Sequence, residues 1–307
     1  MALFLGIDGG GSKTECALGD ETRVLARAQA AACKIQSVGR QEAKAALHQA
    51  IGMACVAAEV ERASIQHTCI GLAGAADPEI AKLARELVGG LVAGEVEVRG
   101  DMEVALEAAF DTGPGLVVIA GTGSIAYGRN ARGQTARAGG WGPAVSDEGS
   151  GSWIGRQAVA AVLRAHDCGE NSPLEAAALG ALGVATCEEL VCRVNALSAS
   201  DFATLLPHLL RAAQNSGSGA RELLIQAGSE LSGLAKVVMR RLWPGSAALR
   251  VAMVGGVFQN SSEVRRTFSG SLLAERPRAQ VLPEVVEPVL VALALARRAA
   301  VGASHER

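Results

Sequence analysis

Residues 6–14 read GIDGGGSKT, which sets three consecutive glycines between Asp8 and the polar run Ser12-Lys13-Thr14. Consecutive glycines weaken a helix or strand, so such a stretch indicates a place where only a bare backbone fits. Backbone N–H groups without side chains in front of them can cradle a phosphate. A neighbouring carboxylate can hold a divalent cation beside that phosphate. The stretch therefore predicts a phosphate-binding turn, and capping of the turn by Asp8 is the plainer alternative.

Two further glycine loops follow apolar stretches, GTGS at 121–124 and GGVF at 255–258. Neither of two common phosphate-binding signatures is met. Ser12 separates Gly11 from Lys13 in the P-loop spacing, and the strand-like IAYGRN follows GTGS where a dinucleotide fingerprint requires a helix. One such loop would be interpreted as a hairpin turn. Three loops, each after an apolar strand pattern, favour phosphate binding.

Two acids stand where they could act on a substrate. Asp101 follows the strand pattern GEVEVRG and precedes the helical pattern MEVALEAAF. This position suits a general base, and equally a helix N-cap. Asp147 lies in SDEGSG, where Glu148 beside it could instead cap the helix predicted over 150–165.

Length, charge and residue composition indicate a globular protein and argue against several other classes. The 307 residues, 49% of them hydrophobic, suffice for a large core in two domains, and a net charge of −2 without a basic run argues against nucleic acid. The longest apolar run near the C-terminus, residues 289–296, is far too short for a membrane-spanning helix, so we expect no membrane span. The seven cysteines contain no C-x-x-C pair and indicate free thiols in a reducing cytoplasm, and the five scattered histidines suggest no zinc site.

Two segments of the chain have similar sequences. LGIDGGGS (5–12) and VVIAGTGS (117–124) share four residues, and Ile7 matches Ile119 at an offset of 112. Each copy reads as an apolar strand, a glycine loop and a second strand. This pattern predicts a duplicated βββαβα unit that opens each half of the chain, with chance similarity as the alternative.

Four motifs together carry a resemblance to a known family. DGGGSKT, GTGS, GGWGPAVSDEGSGSWIGRQA and GGVF are similar to the N-acetylglucosamine kinase group of the BadF/BadG/BcrA/BcrD ATPase family, within the actin, heat-shock ATPase and sugar kinase superfamily. The resemblance runs from residue 5 to about 296, and its most specific part is 139–155.

The resemblance implies an α/β fold of two ribonuclease-H-like (actin-like ATPase) domains flanking a nucleotide cleft. We expect an N-terminal domain over 1–112 and a larger C-terminal domain with a helical insertion over 113–307. Whether the last helix packs back on the N-terminal domain is left open.

The resemblance also implies ATP and Mg²⁺, with Asp8 as the metal ligand. The implied ATP-binding residues are Gly9, Gly10, Gly11, Ser12, Lys13, Thr122, Gly123, Ser216, Gly255 and Gly256. The family usually has Gly-Asp where this chain has Ser216-Gly217, so this part of the expected pocket departs from its pattern.

For the sugar, the resemblance makes Asp101 the catalytic base. The implied substrate-binding residues are Lys34, Asp101, Ser124, Gly140, Trp141, Gly142 and Asp147. Lys34 falls where the family often has an asparagine, and a one-residue shift that leaves Lys34 as a solvated loop residue is the alternative. Trp141 could equally belong to the core.

The function implied is an ATP-dependent kinase for the 6-hydroxyl of N-acetylglucosamine. Glucosamine and N-acetylmuramic acid remain alternative substrates. A member of another class, an ATPase activator of a dehydratase or reductase, would need cluster cysteines, and residues 70–167 contain none. A non-catalytic sugar sensor is opposed by the intact Asp8, Asp101 and Asp147. We expect a cytoplasmic homodimer whose partner is a small sugar, with no nucleic acid and no membrane.

Overall fold

The computed structural model describes residues 2–214, 218–244 and 248–303, so Ser216 lies outside the described residues. Within those ranges the strands are β1 Leu3–Gly9, β2 Lys13–Gly19, β3 Val24–Ala31, β4 Ile65–Leu72, β5 Glu95–Gly100, β6 Gly115–Ala120, β7 Ser124–Arg129, β8 Thr135–Gly139, β9 Leu249–Val254 and β10 Ala279–Val286. The helices are α1 Ile35–Val38, α2 Arg40–Ala57, α3 Pro78–Gly89, α4 Asp101–Phe110, α5 Gly151–Asp167, α6 Glu175–Leu182, α7 Cys187–Asn195, α8 Leu206–Gln214, α9 Ser218–Leu242, α10 Gly256–Asn260, α11 Ser262–Glu275 and α12 Pro288–Ala303. Short 3₁₀ turns occupy Arg62–Ser64 and Asp201–Leu205.

The first sheet has the strand order β3-β2-β1-β4-β5. β1, β2 and β3 form an antiparallel meander, whereas β4 and β5 run parallel to β1. The first five residues of β1 are apolar and buried, as expected where both faces of a sheet are covered. Leu5 and Ile7 pack with α2 and α3 on one face, and Phe4 packs with α4 and α12 on the other.

The last helix belongs to the first compact unit. The chain divides into Met1–Asp111 with Glu287–Arg307 (unit 1) and Thr112–Val286 (unit 2). The last helix, α12, therefore belongs to unit 1 and not to the C-terminal domain that was expected over 113–307. The reason is that the apolar face of α12 covers the sheet of unit 1. Gly6 permits this approach, since a Cβ there would lie 2.2 Å from the backbone nitrogen of Leu293.

The second sheet has the order β10-β9-β6-β7-β8, which is the order of the first sheet with β6 in the place of β1. Again an antiparallel meander, β6-β7-β8, is extended on its other side by parallel strands. The α/β fold of two like units is thus confirmed. The helices α5–α8 form the insertion that follows β8, and α9 packs against β6, β7 and β8.

The sequence did not reveal β10, an edge strand. It carries Pro283, and its pairing with β9 slips between Val281 and Val285. Proline is tolerated at a sheet edge because no ladder hydrogen bond is needed there. None of the helices in the described residues has the length and apolar character that crossing a bilayer requires.

Candidate active site

The chemistry-bearing residues of unit 1 gather at one edge of its sheet. Pairing aligns Gly9 with Leu72 and Leu72 with Gly100, so three parallel strands end at the same level. Asp8 precedes the end of β1 and Asp101 follows the end of β5. The carboxyl ends of parallel strands are where open α/β sheets bind ligands.

The first glycine loop is the tight turn between β1 and β2. The Gly10 N–H donates to the Lys13 carbonyl at 3.0 Å, so the turn is closed by the backbone. Asp8 lies inside β1, opposite Glu15 of β2. A Cβ on Gly9 would lie 2.7 Å from Leu72 Cδ1 and 2.8 Å from Cys33 Sγ, which requires glycine there.

Asp8 is partly buried among other negative charges. Burial first, and then the carboxylates of Asp101 and Glu15, raise the pKa of Asp8 from 3.8 to about 7, whereas Lys13 opposes the rise. The Lys13 ammonium itself lies 2.9 Å from Glu15 Oε1. The neighbouring carboxylates therefore act more strongly on the pKa of Asp8 than the Lys13 ammonium does.

Asp101 is the first residue of α4, and Gly100 occupies the N-cap position. The Asp101 Oδ1 accepts the N–H of Met102 at 2.9 Å. Burial raises the pKa of Asp101, and the Met102 N–H and the Lys34 ammonium act against the rise. Lys34 is partly buried, and its ammonium is close enough to Asp101 to act on the pKa of that carboxyl.

The second glycine loop, between β6 and β7 in unit 2, is fastened to the start of α5. Its own turn is closed by the Gly121 N–H, which donates to the Gly123 carbonyl at 2.9 Å. The N–H groups of Gly151 and Ser152 donate to the carbonyls of Gly121 and Thr122 at 2.8 and 3.2 Å.

Asp147 is buried beside this second loop in an unusual backbone conformation. Its φ of 65° lies in the left-handed region. A Cβ on Gly123 would lie 2.4 Å from Asp147 Oδ2, so the carboxylate lies directly against the loop. The Gly142 N–H donates to Asp147 Oδ1 at 3.3 Å. Ser150, rather than Glu148, caps α5 by accepting the N–H of Trp153.

Trp141 is 67% exposed, so the alternative that it belongs to the core is wrong. Gly140 and Gly142 on either side have φ of 72° and 101°, which other residues rarely adopt. The Arg137 guanidinium lies 4.2 Å from the centre of the indole ring. The buried Ser124 hydroxyl donates to the Glu148 carbonyl at 2.8 Å.

The third glycine loop follows β9, the parallel neighbour of β6. Pairing of Ile119 with Val254 brings Gly255 to the sheet edge where the second loop begins. Gly255 has a φ of 100°, and a Cβ there would lie 2.5 Å from the Ala120 carbonyl. Gly256 starts the short α10. The second and third loops are thus side by side within unit 2.

Two residues near these edges were not among the predicted site residues. Gly74, with a φ of 91°, follows β4 and packs on the side chain of Gln36. Arg156 donates from α5 to carbonyls of the segment that carries Trp141 and Asp147. The glycine in the β4 loop was a usable signal. Arg156 gave no such signal in the sequence, because a single arginine on a helix is usually solvated.

The chain resembles curated sugar kinases along nearly its whole length. It is 31% identical over 304 residues to the N-acetylmuramic acid/N-acetylglucosamine kinase of Clostridium acetobutylicum, covering 97% of this chain and 99% of that protein. It is 29% identical to the N-acetyl-D-glucosamine kinase of Dictyostelium discoideum, covering 96% and 97%.

A solved structure from Chromobacterium violaceum, provisionally assigned as an N-acetylglucosamine kinase, matches with a TM-score of 0.76. The identity is 27%, over 96% of this chain and 99% of that one. The family comparison covers residues 5–285. This chain belongs to the BadF/BadG/BcrA/BcrD ATPase family.

Proposed function

We propose that this chain is an ATP-dependent sugar kinase that phosphorylates the 6-hydroxyl of N-acetylglucosamine. The observation that carries the proposal is the pair of partly buried carboxylates, Asp8 and Asp101, at the strand-end edge that also holds a bare glycine turn. Such a constellation suits phosphoryl transfer, which needs positioning, charge neutralisation and a base. Family membership and the full-length resemblance to named sugar kinases support it.

Asp101 is the general base in this proposal. Its carboxylate accepts the proton of the sugar 6-hydroxyl while the hydroxyl oxygen forms a bond to the γ-phosphorus. The bond from that phosphorus to the β–γ bridging oxygen breaks, and ADP leaves with the electron pair. Burial supports the role, because a raised pKa makes the carboxylate a stronger base.

Mg²⁺ fits the donor set at this edge. Carboxylate oxygens are the ligands that Mg²⁺ prefers, and a cation would relieve the repulsion that helps to raise the pKa of Asp8. Asp8 would hold the ion, directly or through water, with Asp101 nearby. When bound, the ion supplies charge neutralisation for the β- and γ-phosphates.

The nucleotide contacts are assigned to the glycine loops of each unit. In unit 1 the turn over 9–13 faces the β- and γ-phosphates, as the resemblance to the family implies for a glycine loop. In unit 2 Thr122 and Gly123 contact phosphate, and Gly255 and Gly256 pass close to the adenosine. Ser216 keeps its predicted nucleotide role without structural support, because it lies outside the described residues.

The sugar contacts are assigned to Asp101 and Lys34 in unit 1 and to Ser124, Gly140, Trp141, Gly142 and Asp147 in unit 2. The exposed indole of Trp141 supports a role in stacking on a sugar ring. Because the Ser124 hydroxyl donates within the protein, it acts toward the sugar as an acceptor or through its position.

N-acetylmuramic acid is the second candidate substrate. Two observations favour it: the Lys34 ammonium close to Asp101, and the name of the Clostridium acetobutylicum relative. A cation at this place would attract the carboxylate of that sugar and repel the charged amine of free glucosamine. The cytoplasmic location and the homodimer stay predictions.

A panel of sugars with ATP and Mg²⁺, read by ADP release, tests the proposal. We expect N-acetylglucosamine to stimulate ADP release at least ~10²-fold over ATP alone. N-acetylmuramic acid, tested separately, is the second sugar that could do so. Equal ADP release with and without every sugar in the panel would contradict a kinase function.

A further inference from the structure

The segment over 140–148, here called the glycine–tryptophan segment, contains one non-glycine residue in the left-handed region, Asp147. Its turn is closed where the N–H groups of Val145 and Ser146 both donate to the Gly142 carbonyl, at 3.2 and 2.9 Å. Asp147 then takes its φ of 65°. A non-glycine residue in the left-handed region persists only where its surroundings impose it. Contacts outside Asp147 must therefore hold this part of the segment.

Arg156 supplies such contacts from the second turn of α5. Its guanidinium donates to the Pro143 carbonyl through one nitrogen and to the Ser146 carbonyl at 3.5 Å through the other. A guanidinium presents its donors in a rigid fork, so two bonds to one segment fix its position and its direction. The side chain is partly buried, which strengthens bonds from a charged donor relative to solvent-exposed ones.

The two carbonyls lie on either side of Val145, which is 80% exposed, and the second immediately precedes Asp147. On the other side, the Asp147 carbonyl accepts the Ser150 N–H at 3.1 Å, and its carboxylate lies against Gly123. Arg156 and the start of α5 thus hold the segment from both ends around Asp147.

We propose that Arg156 is a positioning residue that holds the glycine–tryptophan segment in the conformation in which the Asp147 carboxylate binds sugar hydroxyls. The inference rests on the proposed function for the identity of the ligand. Arg156 touches neither substrate nor the reacting atoms. It acts on sugar affinity through Asp147 and leaves the base Asp101, in the other unit, untouched.

Three variants separate positioning from general stability. Arg156→Gln removes the fork, Arg156→Lys keeps the charge with a single donor group, and Arg164→Gln is the control because Arg164 is exposed on the same helix. Amide hydrogen exchange of a peptide covering 140–149 reads the segment directly and without activity. Steady-state kinetics with N-acetylglucosamine and ATP read the consequence.

We expect exchange in this peptide to rise at least ~10-fold in Arg156→Gln, because two restraining bonds are lost, and to stay at the wild-type level in Arg164→Gln. The KM for the sugar should rise about 10-fold, while kcat and the KM for ATP change less than about twofold, since binding of the sugar is weakened equally in ground and transition states. Arg156→Lys should recover part of both effects.

Unchanged exchange in Arg156→Gln would overturn the inference, as would an equal loss of sugar and ATP affinity, which indicates a structural role only. If the wild-type protein phosphorylates no sugar, the proposed function fails, and the exchange measurement still decides whether Arg156 holds the segment.

Discussion

Asp8 and Asp101 show why a residue's neighbours matter more than its type. Both are aspartates at strand ends, and both have a raised pKa whose first cause is burial. Asp101 differs because it receives the Met102 N–H and the field of Lys34. The proposed division of labour, a metal ligand and a base, follows from these surroundings.

Replacement of the base should affect turnover more than binding. We expect Asp101→Asn to lower kcat at least ~10²-fold, because an amide cannot accept the hydroxyl proton. The KM for ATP should change little. Glu79→Gln, which alters an exposed carboxylate in the first turn of α3, is the control and should retain near wild-type kcat. Near wild-type turnover of Asp101→Asn in steady-state assays would show that another group is the base.

Lys34 should set part of the sugar preference. We expect kcat/KM for N-acetylglucosamine or N-acetylmuramic acid to exceed that for glucosamine, and Lys34→Asn to narrow the difference by roughly 3- to 10-fold, because a nearby positive charge is removed. Lys44→Asn, which removes an exposed ammonium on α2, is the matched control. A preference for glucosamine that Lys34→Asn leaves unchanged would assign specificity elsewhere.

At the scale of elements, short apolar runs bounded by glycines were enough to predict most of the strands and their order along the chain. The similarity between 5–12 and 117–124 anticipated two sheets of one strand order. The edge strand β10 was missed, and the packing of α12 on unit 1 was left open, because both depend on which face remains uncovered after folding. The bonds from Arg156 were missed for the same reason: tertiary contacts leave no periodic signal.

The β6–β7 turn and Asp147 should behave as one element. Gly123→Ala would set a Cβ 2.4 Å from Asp147 Oδ2, so we expect the carboxylate to move and the KM for the sugar to rise at least ~10-fold. Gly121→Ala adds the same methyl group in the same turn, where no atom lies within 4 Å, and should raise that KM less. Equal effects of the two variants in steady-state kinetics would contradict the coupling.

The turn between β2 and β3 should contribute stability that acid removes. The N–H groups of Arg23 and Thr22 donate to the Asp20 carboxylate and lower its pKa from 3.8 to about 2. Because the folded-state pKa lies below the unfolded one, this stability is full above about pH 4 and is lost as the pH falls toward about 2.

We therefore expect Asp20→Asn to lower the free energy of unfolding at pH 7, and the difference in that free energy from wild type to narrow between about pH 4 and pH 2. Urea unfolding at a series of pH values measures this difference. A difference that is constant or widens with acid would show that the charge of Asp20 does not stabilise the turn.

At the scale of the whole molecule, the chain contains two units with the same strand order, and each has a glycine turn at the carboxyl edge of its parallel strands. Unit 1 supplies the paired carboxylates, and unit 2 supplies the second and third glycine loops and the glycine–tryptophan segment. Membership of the BadF/BadG/BcrA/BcrD ATPase family agrees with nucleotide use by such a pair of units. The proposed transfer of a phosphoryl group to a sugar requires the residues assigned in both units.

The most direct test is the identity of the product formed from ATP, Mg²⁺ and N-acetylglucosamine, determined by ³¹P and ¹³C NMR, with Asp101→Asn as the control. The account predicts that wild-type protein yields ADP and N-acetylglucosamine 6-phosphate in equal amounts and that the variant yields neither at a comparable rate. ADP with free phosphate and unmodified sugar, or a phosphoryl group on another hydroxyl, would contradict it.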